Sequence, residues 1–161
     1  MPRNVEIKAR VDDFDEFLQR AKSLCGDNST PTILDQTDTF FYSQKGRLKL
    51  REQSSSEGTS STELILYERP DLEGPKVCNF TKVVVDDAAG MKTILEKSNG
   101  ITGLLVKRRY LLIYAGYVRI HADKVKGLGE FAELEVSNSY FTNGGLNARE
   151  CVFRALGLPK T

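Results

Sequence analysis

The sequence predicts an α+β fold of about eight strands and three amphipathic helices. Three observations carry that expectation. Most of the chain alternates apolar and polar side chains with the period of a strand. Three segments break the alternation and place apolar residues three and four apart. The polar faces of the strands are also unusually pure and ionic, where an ordinary half-buried sheet presents a mixed polar face.

The elements follow in order. From Asn4 to Val11, residues Val5, Ile7, Ala9 and Val11 share one face, with Asn4, Glu6, Lys8 and Arg10 on the other. Residues 12–25 then place Phe14, Phe17, Leu18, Ala21, Leu24 and Cys25 on one helical stripe, with Asp12 or Asp13 as N-cap and Gly26 as the stop. Further strands read at 32–43, 46–52, 63–70, 76–85, 104–114, 117–123 and 129–137. Between them, a second helix fits Asp87–Ser98, closed by Asn99 and Gly100. A third fits Asn147–Leu156, with Ala148, Cys151, Val152, Ala155 and Leu156 as its stripe. The polar, low-complexity stretch Gln53–Thr62 reads as a long mobile hairpin loop.

Composition bounds the function. A chain of 161 residues fits a single domain, here expected to span 1–161. The 23 basic and 22 acidic residues give a net charge of +1, which excludes holding a nucleic acid by bulk charge. No apolar run nears the roughly 18 residues of a membrane span, and the N-terminus has no apolar signal core. Cys25, Cys78 and Cys151 are odd in number and widely spaced, so reduced thiols in a cytoplasmic protein are expected. There is no P-loop or dinucleotide fingerprint, and no GxSxG accompanies the single histidine, His121.

The charged faces point elsewhere. Arg47, Lys49 and Arg51 alternate with Leu48 and Leu50, and Tyr67 is paired with Arg69, Lys107 with Arg109. Arg119, His121 and Asp123 share one face opposite Val118 and Ile120, and Glu133 and Glu135 oppose Ala132, Leu134 and Val136. Any one such strand is accounted for by a solvated sheet face with cross-strand ion pairs. Six together suggest a sheet that closes on itself, with charged side chains inside and the helices covering the apolar outside. Lys8, Arg10, Lys49, Arg51, Arg69, Lys107, Arg109 and Arg119 suit a polyanion, the arginines as bidentate forks on phosphate. Glu6, Asp123, Glu133 and Glu135 are hard oxygen ligands suited to Mg²⁺ or Mn²⁺.

Eight ordered segments carry a family resemblance. They are Asn4–Arg10, Gln36–Phe41, Gly46–Glu52, Glu63–Arg69, Gly74–Cys78, Val106–Tyr110, Val118–Asp123 and Gly129–Val136. Together they resemble CYTH domains, the triphosphate tunnel metalloenzymes, most of all the class IV adenylyl cyclase-like branch, with thiamine triphosphatases as relatives. The resemblance implies an eight-stranded antiparallel β-barrel, helices outside, that holds a triphosphate with divalent metal along its axis. Glu6 and Lys8 match the second acid and the lysine of the family's ExExK signature and carry its catalytic role. Lys49, Arg51, Arg69, Lys107, Arg109 and Arg119 match phosphate-holding positions, and Lys76 matches the lysine of a Gly-Pro-Lys segment. Asp123, Glu133 and Glu135 match acidic metal positions. The pattern departs at Asn4, a neutral amide where the signature has its first Glu, which bears on a second metal site. Cys78 reads as a small tunnel or core residue.

Three activities are compatible with such a site. Water attacking a phosphorus makes a triphosphatase acting on inorganic triphosphate, thiamine triphosphate or another organic triphosphate. The ribose hydroxyl of ATP attacking makes an adenylyl cyclase. No turnover leaves a polyphosphate- or nucleotide-binding module. Hydrolysis is the expectation, because the charged strands recognise phosphates and only Tyr67 and Tyr110 offer an aromatic face to a base. His121 reads as a polar wall residue hydrogen-bonded to a neighbour. The expected partner is a small triphosphate, with no nucleic acid or membrane, in a monomer or homodimer.

Overall fold

The computed structural model describes residues 3–71, 76–137, 154 and 156–158. The strands are β1 (Arg3–Arg10), β2 (Thr32–Phe41), β3 (Arg47–Ser55), β4 (Ser60–Glu68), β5 (Lys76–Val84), β6 (Ile101–Tyr114), β7 (Val118–Val125) and β8 (Gly129–Ser137). They close into a barrel in the order β1-β5-β4-β3-β2-β6-β7-β8, and every neighbouring pair is antiparallel. Closure removes both sheet edges.

Helix α1 (Phe14–Cys25) begins where the Asp13 side chain accepts from the Glu16 amide, and ends at Gly26, whose φ is 122°. Helix α2 (Ala88–Ser98) is capped by Asp87 through the Gly90 amide and stops at Asn99, followed by Gly100 at φ 82°. Among the described residues no helix is long and apolar enough to cross a membrane. The predicted third helix, 147–156, lies almost wholly outside the described residues, as does Cys151.

Most of the buried apolar residues pack on the outside of the barrel. Phe14, Phe17 and Ala21 of α1 meet Ile7, Leu112, Val118, Ile120, Ala122, Ala132, Leu134 and Val136 from the outer faces of β1, β6, β7 and β8, with Leu156 in the same core. A smaller cluster of Phe41, Leu50 and Val85 is covered by Met91 and Leu95 of α2. The alternation in the sequence is therefore inverted relative to a conventional barrel: apolar outward under helices, charged inward.

The expected long loop at 53–62 is corrected. Ser54 pairs with Ser60, Gln53 with Ser61 and Glu52 with Thr62, so the hairpin turn shrinks to 56–59. Gln53 and Ser61 line the interior, where this barrel places polar side chains, so their polarity was no sign of a loop. Gly46, at the entry to β3, has φ 75°, and a Cβ there would sit 2.8 Å from the Tyr67 carbonyl oxygen.

Candidate active site

The barrel encloses a cavity of about 420 Å³, within the range of small-ligand sites. Nine cations line it: Lys8, Arg47, Lys49, Arg51, Arg69, Lys82, Lys107, Arg109 and Arg119. Five acids, Glu6, Asp38, Glu63, Glu133 and Glu135, line it with them. At one end Gln36, Gln53, Ser61, Lys107 and Val125 also border a wider, more open concavity.

Two buried aspartates organise four of these nine cations. Asp38 on β2 lies directly across from Arg51 on β3. It accepts from Arg51 Nε and NH2, both at 2.7 Å, and from Lys49 Nζ at 3.0 Å. Asp123 on β7 lies directly across from Arg109 on β6. It accepts from Arg109 Nε and NH2, again at 2.7 Å each, with Lys107 Nζ at 3.4 Å. Each Lys-x-Arg strand thus has one carboxylate clamping a guanidinium bidentately and touching the lysine.

The charges are perturbed accordingly. Burial alone would raise the Asp38 carboxyl, but the Arg51 hydrogen bonds and the Lys49 charge hold it well below the usual range. Asp123 is lowered in the same way, its burial outweighed by Arg109. Burial, reinforced by Arg51, pushes Lys49 down to about 8, and burial with Arg109 pushes Lys107 down to about 7. The Arg109 guanidinium stays firmly charged, with Glu133 and Asp123 overcoming its desolvation.

The acidic side is built on β1, β7 and β8. Glu133 lies opposite Lys8 on one flank and His121 on the other; Glu135 lies opposite Glu6 and Arg119. Glu133 Oε2 is 3.5 Å from Arg109 NH2, and Glu133 Oε1 is 3.3 Å from His121 Nδ1. Burial opposes ionisation of Glu133, but Arg109 and His121 hold its carboxyl well below the usual range. His121 is lowered by burial and by Arg109, against the pull of Glu133. Glu135 has no hydrogen-bond or ion-pair partner among the described residues. Donor atoms of His121, Glu133 and Glu135 lie within 4.8 Å of one another.

Most of the residues singled out in the sequence converge here, with three exceptions. Asp123 lies behind the cavity wall, fully buried, with both oxygens taken by Arg109. Arg10 has the inward parity but does not line the cavity; it donates to the Leu128 carbonyl at 3.2 Å and lies over Phe131. Lys76 lies across from Glu6 and also stays off the lining. Glu6 does line the cavity, but its carboxylate is engaged by Arg69. Of the two tyrosines, Tyr67 faces the interior, whereas Tyr110 packs outward with its ring 5.5 Å from Phe14.

Sequence reasoning missed Asp38, Glu63 and Lys82 as lining residues, and Arg47, which it had placed on the inward charged face, lines the cavity as well. Strand parity could have found Asp38, which alternates with Gln36 and Phe40. Cys78 faces the cavity, and burial pushes its thiol up to about 11, an inert form. Asn4 lines the cavity too, its buried Oδ1 without a partner among the described residues.

A closed antiparallel barrel with charged side chains inside and helices outside defines a recognisable protein class. The sequence matches the CYTH domain over residues 2–159, and the chain belongs to that family. No curated protein matches it. Among solved structures, the fold is shared with the PH1012 protein from Pyrococcus horikoshii OT3, at TM-score 0.76 and 22% identity, covering 98% of this chain and 92% of that one. A provisionally assigned adenylate cyclase from Vibrio parahaemolyticus follows at TM-score 0.64 and 20% identity, covering 96% and 88%. HpAC1 from Hippeastrum, an assigned adenylyl cyclase described as having a dominant triphosphatase activity, superposes at TM-score 0.65 and 14% identity, covering 99% and 89%.

Proposed function

We propose that this protein is a metal-dependent triphosphatase that hydrolyses a phosphoanhydride bond of an inorganic or organic triphosphate held inside the barrel. The observation that carries this reading is the excess of nine cations over five acids around one enclosed cavity. A triphosphate is the small anion whose charge such a lining would balance. Arg51 and Arg109, clamped from behind, present fixed forks to phosphate oxygens, so little ordering is left to be done when substrate arrives. Lys8, Lys49, Lys107 and Arg119 add point charges along the chain of phosphates. They neutralise charge that grows on the leaving group.

A divalent ion, Mg²⁺ or Mn²⁺, fits the acidic side. Glu133 and Glu135 would hold it, and the unpartnered Glu135 carboxylate is the kind of oxygen such an ion takes. Bound there, it would polarise a phosphoryl oxygen. Asp123, expected as a further ligand, is proposed instead as the anchor of Arg109. Glu6 is proposed as the partner that aims Arg69. The open concavity beyond Gln36 and Gln53 leaves room for an organic group on the terminal phosphate, as in thiamine triphosphate or ATP. The composition suits a cytoplasmic protein with a small-molecule partner.

Incubating the purified protein with Mn²⁺ and either inorganic triphosphate, thiamine triphosphate or ATP tests the reading. Release of phosphate or diphosphate without cyclic AMP is expected. Cyclic AMP with diphosphate would replace hydrolysis by cyclisation, and tight binding without turnover would reduce the protein to a binding module.

The depressed lysines add a pH signature. With Lys49 at about 8, the free protein is largely neutral at that position near pH 9, and a bound polyanion restores the charge. Triphosphate binding at that pH is therefore expected to take up a proton, and affinity to fall as pH rises past about 8. Calorimetry in two buffers of different ionisation enthalpy measures the uptake, and Lys49→Arg should reduce it. The stability sign is the reverse. Between about 8 and 10.5 the unfolded chain holds a proton that folded Lys49 lacks, so stability rises with pH across that window.

A further inference from the structure

We propose that Phe131 is a positioning residue of the triphosphate site: its ring face holds the Lys8 ammonium at the cavity wall as an unpaired cation, and Arg10 braces the ring. The inference rests on the triphosphatase reading and adds to it the support behind one phosphate-facing charge.

Lys8 lines the cavity, yet it has no hydrogen-bond or ion-pair partner among the described residues. Its natural counter-charge is Glu133, directly across the β1–β8 pair. That carboxylate is turned instead to Arg109 NH2 at 3.5 Å and His121 Nδ1 at 3.3 Å. Lys8 Nζ lies over the Phe131 ring, 5.0 Å from its centroid, where the negative ring face attracts an ammonium. A lysine side chain has large rotamer freedom, so a fixed position needs a restraint. A carboxylate would supply one but would cancel the charge. A ring face restrains the ammonium and leaves its net charge to the phosphates.

The ring is placed for this task. Phe131 shares the inward parity of Glu133 and Glu135 on β8 and lies directly across from Arg10 on β1. It belongs to neither apolar cluster among the described residues, so the outer core does not account for a phenyl group here. The Arg10 guanidinium lies over the same ring, also 5.0 Å from the centroid. Arg10 NH1 donates to the Leu128 carbonyl in the β7–β8 turn at 3.2 Å. Gly129, with φ 113°, leaves room for that contact, because a Cβ there would sit 3.2 Å from Arg10 NH1. Turn, guanidinium, ring and ammonium therefore form one series that ends at the cavity. Arg10 takes part in it without lining the cavity, and Lys8 has no ion pair to break when a polyanion arrives.

Replacing Phe131 in the full chain by mono-, di- and trifluorinated phenylalanine keeps the shape of the ring while weakening its negative face step by step. With Mn²⁺, kcat/KM for inorganic triphosphate is expected to fall in the same steps, reaching about a three- to tenfold loss with the trifluorinated ring. In a Lys8→Gln background the dependence on fluorine should vanish. In the ligand-free protein, ring current should shift the Lys8 ε-methylene protons upfield in nuclear magnetic resonance spectra, and Phe131→Leu should abolish the shift. Equal kcat/KM across the fluorinated series overturns the proposal, as does the same dependence without Lys8 or a parent spectrum with no upfield shift. In each case the parent still hydrolyses triphosphate. A parent that neither binds nor hydrolyses it would remove the functional reading instead, and the phosphate role of Lys8 with it.

Discussion

Asp123→Ala is expected to cost about 3–5 kcal/mol of folding stability, measured by urea unfolding at neutral pH, although Asp123 reaches no substrate. The magnitude follows from what remains. Arg109 is 6% exposed and would keep only the Glu133 oxygen at 3.5 Å, while Lys107 would lose its one carboxylate contact. A buried guanidinium without its counter-charge costs far more than the pair contributes when intact, while Lys107, already lowered to about 7, sheds its proton. Turnover should suffer as well, because an unclamped guanidinium must be ordered at each substrate encounter; kcat/KM for inorganic triphosphate is expected to drop about a hundredfold. Asp123→Asn keeps the shape and one accepting oxygen, and should fall between the two. An alanine variant as stable and as active as the parent would show that Arg109 is positioned by other means.

The same carboxylate sets an acid limit. The folded Asp123 carboxyl lies below its ordinary value of 3.8, held down by Arg109 against its burial. Its contribution is therefore complete above that pH and is lost as pH falls toward the folded value. Asp38 and Glu133 are lowered too, so acid unfolding of the wild type should be steep below about pH 4 and shallower in Asp123→Asn.

Glu135→Gln is expected to give the opposite split between stability and activity. Glu135 is half-buried, has no ion-pair partner among the described residues and sits two residues from Glu133 on the same face. Removing its charge relieves repulsion, so the melting temperature should hold or rise. Triphosphate hydrolysis should fall about a hundred- to a thousandfold, with more Mn²⁺ needed for half-maximal rate. Equal turnover at equal Mn²⁺ in the variant would remove Glu135 from the proposed metal site. The contrast with Asp123 is diagnostic of the proposed roles, in which one carboxylate anchors Arg109 and the other holds the metal.

The strands were legible because their alternation is local. Val5, Ile7 and Ala9 announced an outward apolar face wherever β1 was going to lie, and Lys49 and Arg51 an inward charged one. Both helices in the described residues were legible for the same reason, from Asp13 and Asp87 as caps to Gly26 and Gly100 as stops. The reading failed at Gln53–Thr62, where polarity suggested a loop. A polar strand looks like a loop until its inside face is known to be the polar one. Arg10 and Lys76 have the right parity or motif, but their positions lie off the cavity wall.

What the sequence determined alone was composition of the site: two Lys-x-Arg strands, a Glu-x-Glu strand and a lone histidine, all with side chains on one face of their strands. That follows from backbone geometry, which alternates side chains without regard to the rest of the fold. Only the tertiary structure decided which of those charges are free. Asp38 and Asp123 look no different in sequence from Glu133 and Glu135. Register, fixed by packing and turns across the barrel, sets each aspartate directly opposite the arginine that clamps it, whereas Glu135, with Arg119 across the strand pair, makes no ion pair among the described residues. A carboxylate's role here depends on whether the side chain across the strand pair engages it, as Arg109 engages Asp123 across a hairpin and Arg119 does not engage Glu135.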